Sequence, residues 1–253
     1  MSLSELGAPR DPATRAFLRD VVHDATRWEA PRITTVKQAK GGKKKRMLGV
    51  FPASFNPPTK AHEALVRAAQ KVVPLDECLL LLDLKAMDKE VVGASWEDRL
   101  VMLLILFGEE SACSVGVCNR GLFLEKIAAV HHAYPKDTEI HFIVGHDTMV
   151  RILDRKYYGD RDMNLRSLFS KSRFLVANRG ANDEKSLLTL FAHEENRPFA
   201  ARVTALTLTP AAASVSSSEA RRRLAMGESV RGLVSPAVAE FCRQQGFYDR
   251  QRD

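Results

Sequence analysis

The chain has 253 residues, of which 45% are hydrophobic and 27% are charged, and its formal net charge at pH 7 is +7. A chain of this composition folds into a globular core without needing a disulfide or a metal, and no apolar run reaches the ~18 residues of a membrane span. The first residues lack the apolar segment of a secretory signal, which favours a cytoplasmic location.

The positive charge is concentrated in the first 46 residues. This segment holds eleven Lys and Arg against five Asp and Glu, whereas residues 47–253 hold 27 against 26. We therefore divide the chain into a basic N-terminal extension, 1–46, and a nearly neutral main domain, 47–253. The extension is predicted to form a helix over 11–28 followed by a Lys-rich linker, and nuclear import stays open if that linker is an import signal.

From Met47 onward, short apolar runs that are typical of strands alternate with helical patterns. The predicted strands are 47–52, 78–84, 112–117, 140–145, 173–178 and 203–208. The predicted helices are 61–73, 95–107, 122–132, 148–153, 217–226 and 236–245. Two stretches, 157–171 and 180–198, show no clear pattern and are expected to be loops.

This alternation predicts an α/β protein with a Rossmann-like, doubly wound parallel sheet that carries helices on both faces. Sheets of this kind bind ligands at the carboxyl ends of their strands, so the residues that follow each strand are the first candidates for function. The four cysteines show no CxxC spacing, and we expect buried free thiols rather than a metal site.

The turn after the first strand of the main domain is unusually rigid. It runs through Ser54, Phe55 and Asn56 into two prolines, and Thr59 and His62 then stand at the start of the next helix. Unpaired backbone N–H groups and the helix dipole make such a start a favourable place for an anion, to which a His adds a donor.

The segment 54–62 is the first of two candidate anion-binding strings. The second string, 216–221, comes at the start of the helix predicted over 217–226. Ser216, Ser217 and Ser218 are followed by Arg221, so hydroxyl groups and a forked cation come together at a helix start. Each string alone has an ordinary explanation, as a Pro-rich turn or as a Ser-capped basic helix. The pair together favours a site for a phosphorylated ligand.

These two strings resemble the (H/T)xGH and ISSTxxR signatures of the nucleotidyltransferase superfamily, and within it the nicotinamide/nicotinate mononucleotide adenylyltransferases. Between them, Gly145 and Asp147 are similar to the family's G-x-D, and Arg99 lies in a helix that resembles its R-x-x-M pattern. The stretch 145–158 is most similar to a divergent, mainly fungal branch of nicotinamide-nucleotide adenylyltransferases.

The chain also departs from the family pattern. Thr59 replaces the first His, Ala61 replaces the usual Gly, and the loop after Gly-x-Asp lacks the Trp that stacks on the pyridine ring in many members. Tyr157, Tyr158 or Phe169 is expected to stack there instead.

The resemblance implies that domain 47–253 transfers AMP from ATP to nicotinamide or nicotinate mononucleotide (NMN or NaMN) in NAD biosynthesis. His62 and Arg221 would be catalytic, and Mg²⁺ would arrive bound to ATP without a metal site of the protein. The implied ATP-binding residues are Ser54, Phe55, Asn56, Thr59, His62, Gly145, Asp147, Ser216, Ser217, Ser218 and Arg221. The implied mononucleotide-binding residues are Lys89, Arg99, Tyr157 and Tyr158. For Asp147 a helix cap, and for Lys89 a solvated loop position, are the competing interpretations.

Two alternatives remain at this point. One is a related adenylyl- or cytidylyltransferase with another phosphate acceptor, such as phosphopantetheine. The other is a non-catalytic nucleotide-binding protein whose basic extension docks on nucleic acid or a membrane. The two phosphate strings favour ATP and a pyridine mononucleotide as partners over nucleic acid or a membrane. The choice between NMN and NaMN, and homo-oligomerisation, stay open.

Overall fold

The computed structural model describes residues 8–40, 47–84, 93–177 and 183–248, which contain one seven-stranded sheet. Its strands are β1 Ile33–Lys37, β2 Met47–Ala53, β3 Glu77–Asp83, β4 Cys113–Cys118, β5 Glu139–Gly145, β6 Ser172–Ala177 and β7 Val203–Leu206. They lie in the order β1-β4-β3-β2-β5-β6-β7. Every neighbouring pair is parallel except β1 and β4, which are antiparallel.

Helices cover both faces of this sheet. They are α1 Pro12–Arg27, α2 Lys60–Val72, α3 Trp96–Phe107, α4 Phe123–Ala133, α5 His146–Leu153, α6 Arg161–Lys171, α7 Asp183–Ala192, α8 Pro210–Ala213, α9 Ser217–Ala225 and α10 Pro236–Gln245. Along β3, Leu80 and Leu82 belong to one hydrophobic cluster while Leu79 and Leu81 belong to the other, because successive strand side chains point to opposite faces. The predicted Rossmann-like α/β class is confirmed.

Local sequence signals account for several element boundaries. Ser95 caps α3: its Oγ accepts from the Asp98 N–H at 3.2 Å and donates to the Asp98 carboxylate at 2.7 Å. Helix α10 ends at Gly246, which takes the left-handed conformation that a residue without Cβ adopts at little cost. The four cysteines are buried free thiols, as the sequence analysis expected.

The two stretches that were expected to be loops contain helices α6 and α7, so that expectation is wrong. Asp160 caps α6 by accepting from the Met163 N–H at 2.9 Å, and Leu165, Leu168 and Phe169 form its buried face. This apolar face is only three residues wide and is interrupted by charged positions, which weakened the periodic signal. Tertiary burial of that narrow face stabilises the helix.

The N-terminal segment packs on the rest of the fold. Leu18 and Ala25 of α1 are fully buried in the same cluster as α3, and Arg15 forms a 2.5 Å ion pair with Asp98. Residues 33–37, predicted to be part of a linker, instead form β1 at the edge of the sheet. The most basic residues, 41–46, lie outside the described ranges. Within those ranges, no helix is both long and apolar enough to cross a membrane.

Candidate functional site

A cavity of about 310 Å³ opens at the carboxyl ends of the parallel strands. Its wall includes residues from the ends of β2, β3, β5 and β6 and from the segment that leads into α9. Seven of the predicted ATP-binding residues line it, namely Ser54, Thr59, His62, Gly145, Asp147, Ser216 and Ser217. The tertiary structure therefore brings both phosphate strings to one place, as expected for a doubly wound sheet.

His62 is held in one orientation at the start of α2. The Thr59 main-chain N–H donates to His62 Nδ1 at 2.8 Å, and Thr59 Oγ1 lies 2.9 Å from the same nitrogen. Because Nδ1 accepts a hydrogen bond, the proton of the neutral ring is on Nε2. His62 thus enters the cavity wall as a hydrogen-bond donor, which suits a phosphate oxygen.

The ring of Phe55 packs against the ring of His62. Its side chain is 1% exposed, and its ring centroid lies 5.0 Å from that of His62 and 5.5 Å from that of Phe51. Its backbone takes a φ of 42°, which is rare for a residue with a bulky side chain and points to a loop held by its surroundings. Phe55 therefore positions the loop, and it is not among the described residues that line the cavity.

The second string forms the start of α9. Ser216 is its N-cap, and its Oγ accepts from the Glu219 N–H at 3.1 Å. The Ser217 hydroxyl donates to the main-chain carbonyl of Pro57 at 2.9 Å, which ties this helix start to the first string. Ser218 is exposed, and its hydroxyl accepts from Arg221 at 3.2 Å rather than contributing to the cavity wall of the described chain.

Arg221 also binds the first string. Its Nη1 donates to the main-chain carbonyl of Asn56 at 2.7 Å. The side chain of Asn56 accepts from the Tyr248 hydroxyl at 2.6 Å, so this loop residue is anchored from two elements. Neither Asn56 nor Arg221 is among the described residues of the cavity wall, but their hydrogen bond joins the two segments that contribute to it. The positive charge of Arg221 therefore sits at the junction of the two strings.

Gly145 and Asp147 lie where β5 runs into α5. A Cβ added at Gly145 would meet no atom within 4 Å, so packing inside the protein does not require glycine at this position. Gly145 is the N-cap of α5, and Asp147 stands inside its first turn. The interpretation of Asp147 as a helix cap is therefore wrong, and its predicted contact with a ribose hydroxyl stays a prediction.

Three predicted mononucleotide-binding residues lie away from the cavity wall that the structure describes. Arg99 is only 2% exposed, donates to the carbonyls of Ala94 and Ser54 at 2.9 and 3.4 Å, and lies 4.5 Å above the Trp96 ring. Burial, together with the nearby cation of Arg221, lowers the pKa of Arg99 to about 10, while Tyr248 opposes the shift. Arg99 thus supports the loop that carries Ser54.

The two tyrosines pack next to α5. The Tyr158 hydroxyl donates to the carbonyl of Ile152 at 2.7 Å, and burial raises the pKa of Tyr158 to about 12. Tyr157 packs against the Lys156 ammonium, which lies 4.8 Å from the centre of its ring. Neither tyrosine is part of the described cavity wall, and Lys89 lies outside the described residues.

Sequence reasoning missed four polar residues of the wall. They are Asp83 at the end of β3, and His146, Thr148 and Arg151 of α5. Asp83 was recognisable in principle, because it is the first charged residue after an apolar strand. The three residues of α5 could not be recognised from the sequence. The side of this short helix that faces the cavity is set by its packing against the rest of the protein.

Several known proteins are similar to this chain. No family model matches the chain. A Schizosaccharomyces pombe protein assigned as a nicotinamide mononucleotide adenylyltransferase is 34% identical over 134 residues, 51% of this chain and 52% of that protein. A Gemmatimonas aurantiaca protein assigned as a nicotinate-nucleotide adenylyltransferase is 29% identical over 206 residues, 79% of this chain and 92% of that protein. The match thus spans about half of the yeast relative's length.

The fold has a solved counterpart as well. Plasmodium falciparum nicotinic acid mononucleotide adenylyltransferase, solved with NaAD, superposes with a TM-score of 0.62 at 16% identity, over 82% of this chain and 100% of that one. The relatives, together with this fold, indicate a nucleotidyltransferase. The homologues of the chain are, more narrowly, named as nicotinate and nicotinamide mononucleotide adenylyltransferases, which confirms the resemblance of its two strings.

Proposed function

We propose that this protein transfers AMP from ATP to the 5′-phosphate of a pyridine mononucleotide, which yields the dinucleotide and pyrophosphate in NAD biosynthesis. The observation that carries the proposal is the junction of the two phosphate strings. Ser217 binds the carbonyl of Pro57, and Arg221 binds that of Asn56, so the starts of α2 and α9 meet around one cavity. Two helix starts suit the several charges of a triphosphate.

The reaction needs alignment more than proton transfer. An oxygen of the mononucleotide phosphate attacks the α-phosphorus of ATP, and the bond between that phosphorus and the bridging oxygen to the β-phosphate breaks. The attacking group is already an anion, so no general base is required, and pyrophosphate leaves with the electron pair. The protein must therefore hold two phosphates in line and stabilise charge at the α-phosphate.

Different site residues bind different phosphates of ATP in this proposal. His62, fixed by Thr59 with its proton on Nε2, donates to a non-bridging α-phosphate oxygen. Ser216, Ser217 and the start of α9 receive the β- and γ-phosphates, and Arg221 supplies positive charge at the same junction. The adenosine then lies toward Gly145, where a ligand can approach the main chain closely.

The strand order of the sheet supports separate positions for the two substrates. Strands β5, β6 and β7 lie on one side of β2, and the chain reaches α9 from β7, so ATP bound to Ser216 and Ser217 occupies that side. Strands β3 and β4 lie on the other side of β2, where Asp83, Gly121 and Phe123 complete the cavity wall. The acceptor mononucleotide is therefore assigned to the β3–β4 side.

Magnesium fits this site as a companion of ATP. Within the described ranges, no group of three or more His, Cys, Asp or Glu side chains is placed to hold a metal ion. Mg²⁺ commonly keeps several waters and binds through substrate phosphates, which suits such a donor set. When bound, the ion neutralises phosphate charge, while His62, the serines and Arg221 position the triphosphate.

The test is a substrate panel with purified protein, ATP and Mg²⁺. NMN or NaMN should give NAD or NaAD with one pyrophosphate per dinucleotide, resolved by chromatography. Product from phosphopantetheine, or from CTP as donor, without any dinucleotide would favour a related transferase. ATP binding without pyrophosphate release from any acceptor would favour the non-catalytic alternative and overturn the proposal.

A further inference from the structure

A buried ion pair forms part of the acceptor side of the cavity. Asp83 lines the wall at the end of β3, and its Oδ2 lies 3.3 Å from the Nζ of Lys126 on α4. Its side chain keeps 17% of its surface, whereas that of Lys126 keeps 1%. The lysine is therefore enclosed by protein, and the carboxylate is the member of the pair that a ligand can reach.

The lysine has its other contacts within the protein. Lys126 Nζ donates to the carbonyl of Gly121 and lies 5.1 Å from the centre of the Phe123 ring. Gly121 and Phe123 both line the cavity, so Lys126 holds this loop against the end of β3. Its charge is compensated by Asp83, and the pair presents no net positive charge to a ligand.

The carboxylate of Asp83 can accept further hydrogen bonds. A carboxylate offers about four lone-pair sites and no donor when ionised. Asp83 Oδ1 is buried and has no hydrogen-bond partner in the described structure, while Oδ2 has Lys126. Burial raises the pKa of Asp83 to about 6 against the opposing charge of Lys126, so the group is mainly ionised above pH 7. A buried acceptor without a donor is costly, and because the Asp83 side chain is 17% exposed at the cavity wall, a small rotation of the carboxylate would let a ligand N–H reach Oδ1 and relieve that cost.

Resting on the proposed function, we infer that Asp83 is the residue that selects the carboxamide of NMN over the carboxylate of NaMN. The two acceptors share a pyridinium ring, a ribose and a phosphate, and they differ only in this substituent. A carboxamide donates an N–H to the carboxylate of Asp83, whereas a carboxylate opposes it with a like charge in a partly desolvated wall. Repulsion of the wrong partner adds to attraction of the right one.

The experiment measures kcat/KM for NMN and for NaMN at pH 8 in the wild type and in Asp83→Asn. In the wild type, kcat/KM for NMN should exceed kcat/KM for NaMN by about tenfold or more. A hydrogen bond to a charged group contributes enough free energy to account for that ratio. Asp83→Asn retains an acceptor and adds a donor for the nicotinate carboxylate. It should therefore lower the NMN:NaMN ratio by about tenfold or more, while the KM for ATP stays unchanged.

Two further variants keep the test decisive. Asp83→Asn combined with Lys126→Met removes both charges, so it avoids an unpaired buried lysine and should show the same loss of selectivity. Glu139→Gln is the matched control, because this carboxylate lies at the amino end of β5, paired with Arg173 on the surface, and should leave the ratio unchanged. Isothermal titration with each mononucleotide measures the same NMN:NaMN preference as a ratio of binding affinities.

The outcomes separate the inference from the proposed function. If neither mononucleotide is adenylylated by the wild type, the proposed function fails. If both are used and Asp83→Asn lowers both kcat/KM values equally, Asp83 contacts a shared part such as the ribose, and the inference is overturned. A changed KM for ATP with an unchanged NMN:NaMN ratio overturns it as well, because Asp83 would then face the donor.

Discussion

The Nη1 of Arg221 donates to the main-chain carbonyl of Asn56 at 2.7 Å, across 165 positions of sequence. This bond joins the turn before α2 to the first turns of α9, and Ser217 adds a second link through Pro57. Because both strings are anchored to each other, a ligand that binds one of them is held in a fixed geometry relative to the other. Pre-organisation of this kind is what an in-line transfer between two phosphates requires.

Replacing His62 with Ala should lower kcat by about 100-fold or more. A lost donor to a charge that develops in the transition state typically costs about 3 kcal/mol. Steady-state rates of pyrophosphate release measure the effect. His132→Ala, on the exposed surface of α4, is the matched control and should be active. Near-normal turnover of His62→Ala would show that the assigned role is wrong.

Replacing Arg221 with Ala should raise the KM for ATP and lower kcat/KM for ATP by about tenfold to a hundredfold. The substitution removes a charged hydrogen bond to the carbonyl of Asn56, and such bonds are worth roughly 1.5–3 kcal/mol. Arg222→Ala tests the neighbouring cation, which is paired with Glu219 and Glu228 at the surface and should have little effect. Equal losses in both variants would contradict a specific role for Arg221.

Leu18→Ala should reduce the free energy of unfolding by about 2–5 kcal/mol, the usual cost of removing a fully buried leucine side chain. The matched surface change on the same helix is Asp20→Ala, which should stay within about 0.5 kcal/mol of the wild type. Denaturant unfolding measures both. An unchanged midpoint for Leu18→Ala would mean that α1 does not contribute to the core in solution.

Asp83 should make stability depend on pH between about 4 and 6. Its pKa is raised in the folded protein from 3.8 to about 6, so over this window the folded state holds a proton that the unfolded chain has released. The contribution of Asp83 to the free energy of unfolding therefore falls as the pH rises. The difference between wild type and Asp83→Asn, followed by denaturant unfolding, should change across this range and level off above it. A constant difference would contradict the raised pKa.

Local chemistry made much of the cavity edge of the sheet predictable. The Asn-Pro-Pro turn, Thr59 at a helix start and the serine run before α9 are short-range signals, since turn and cap geometry depend on neighbouring residues. The same reasoning did not predict that Arg99 donates to the carbonyls of Ala94 and Ser54, because a cation in a helix pattern does not reveal which groups it contacts. Helix α6 was missed for a related reason. Its apolar face is too narrow to give a clear helical period in the sequence, and the helix is stabilised by its packing partners.

The sequence by itself determined the alternating strand and helix pattern, the concentration of positive charge in the first 46 residues and the two strings at helix starts, because each is encoded by residues close together in the chain. Only the tertiary structure decided that β1 forms the edge beside β4, that Arg221 binds Asn56, and that Asp83, paired with Lys126, lines the cavity. These relationships depend on strand order, which is set by pairing and burial between distant segments, and no local pattern contains that information.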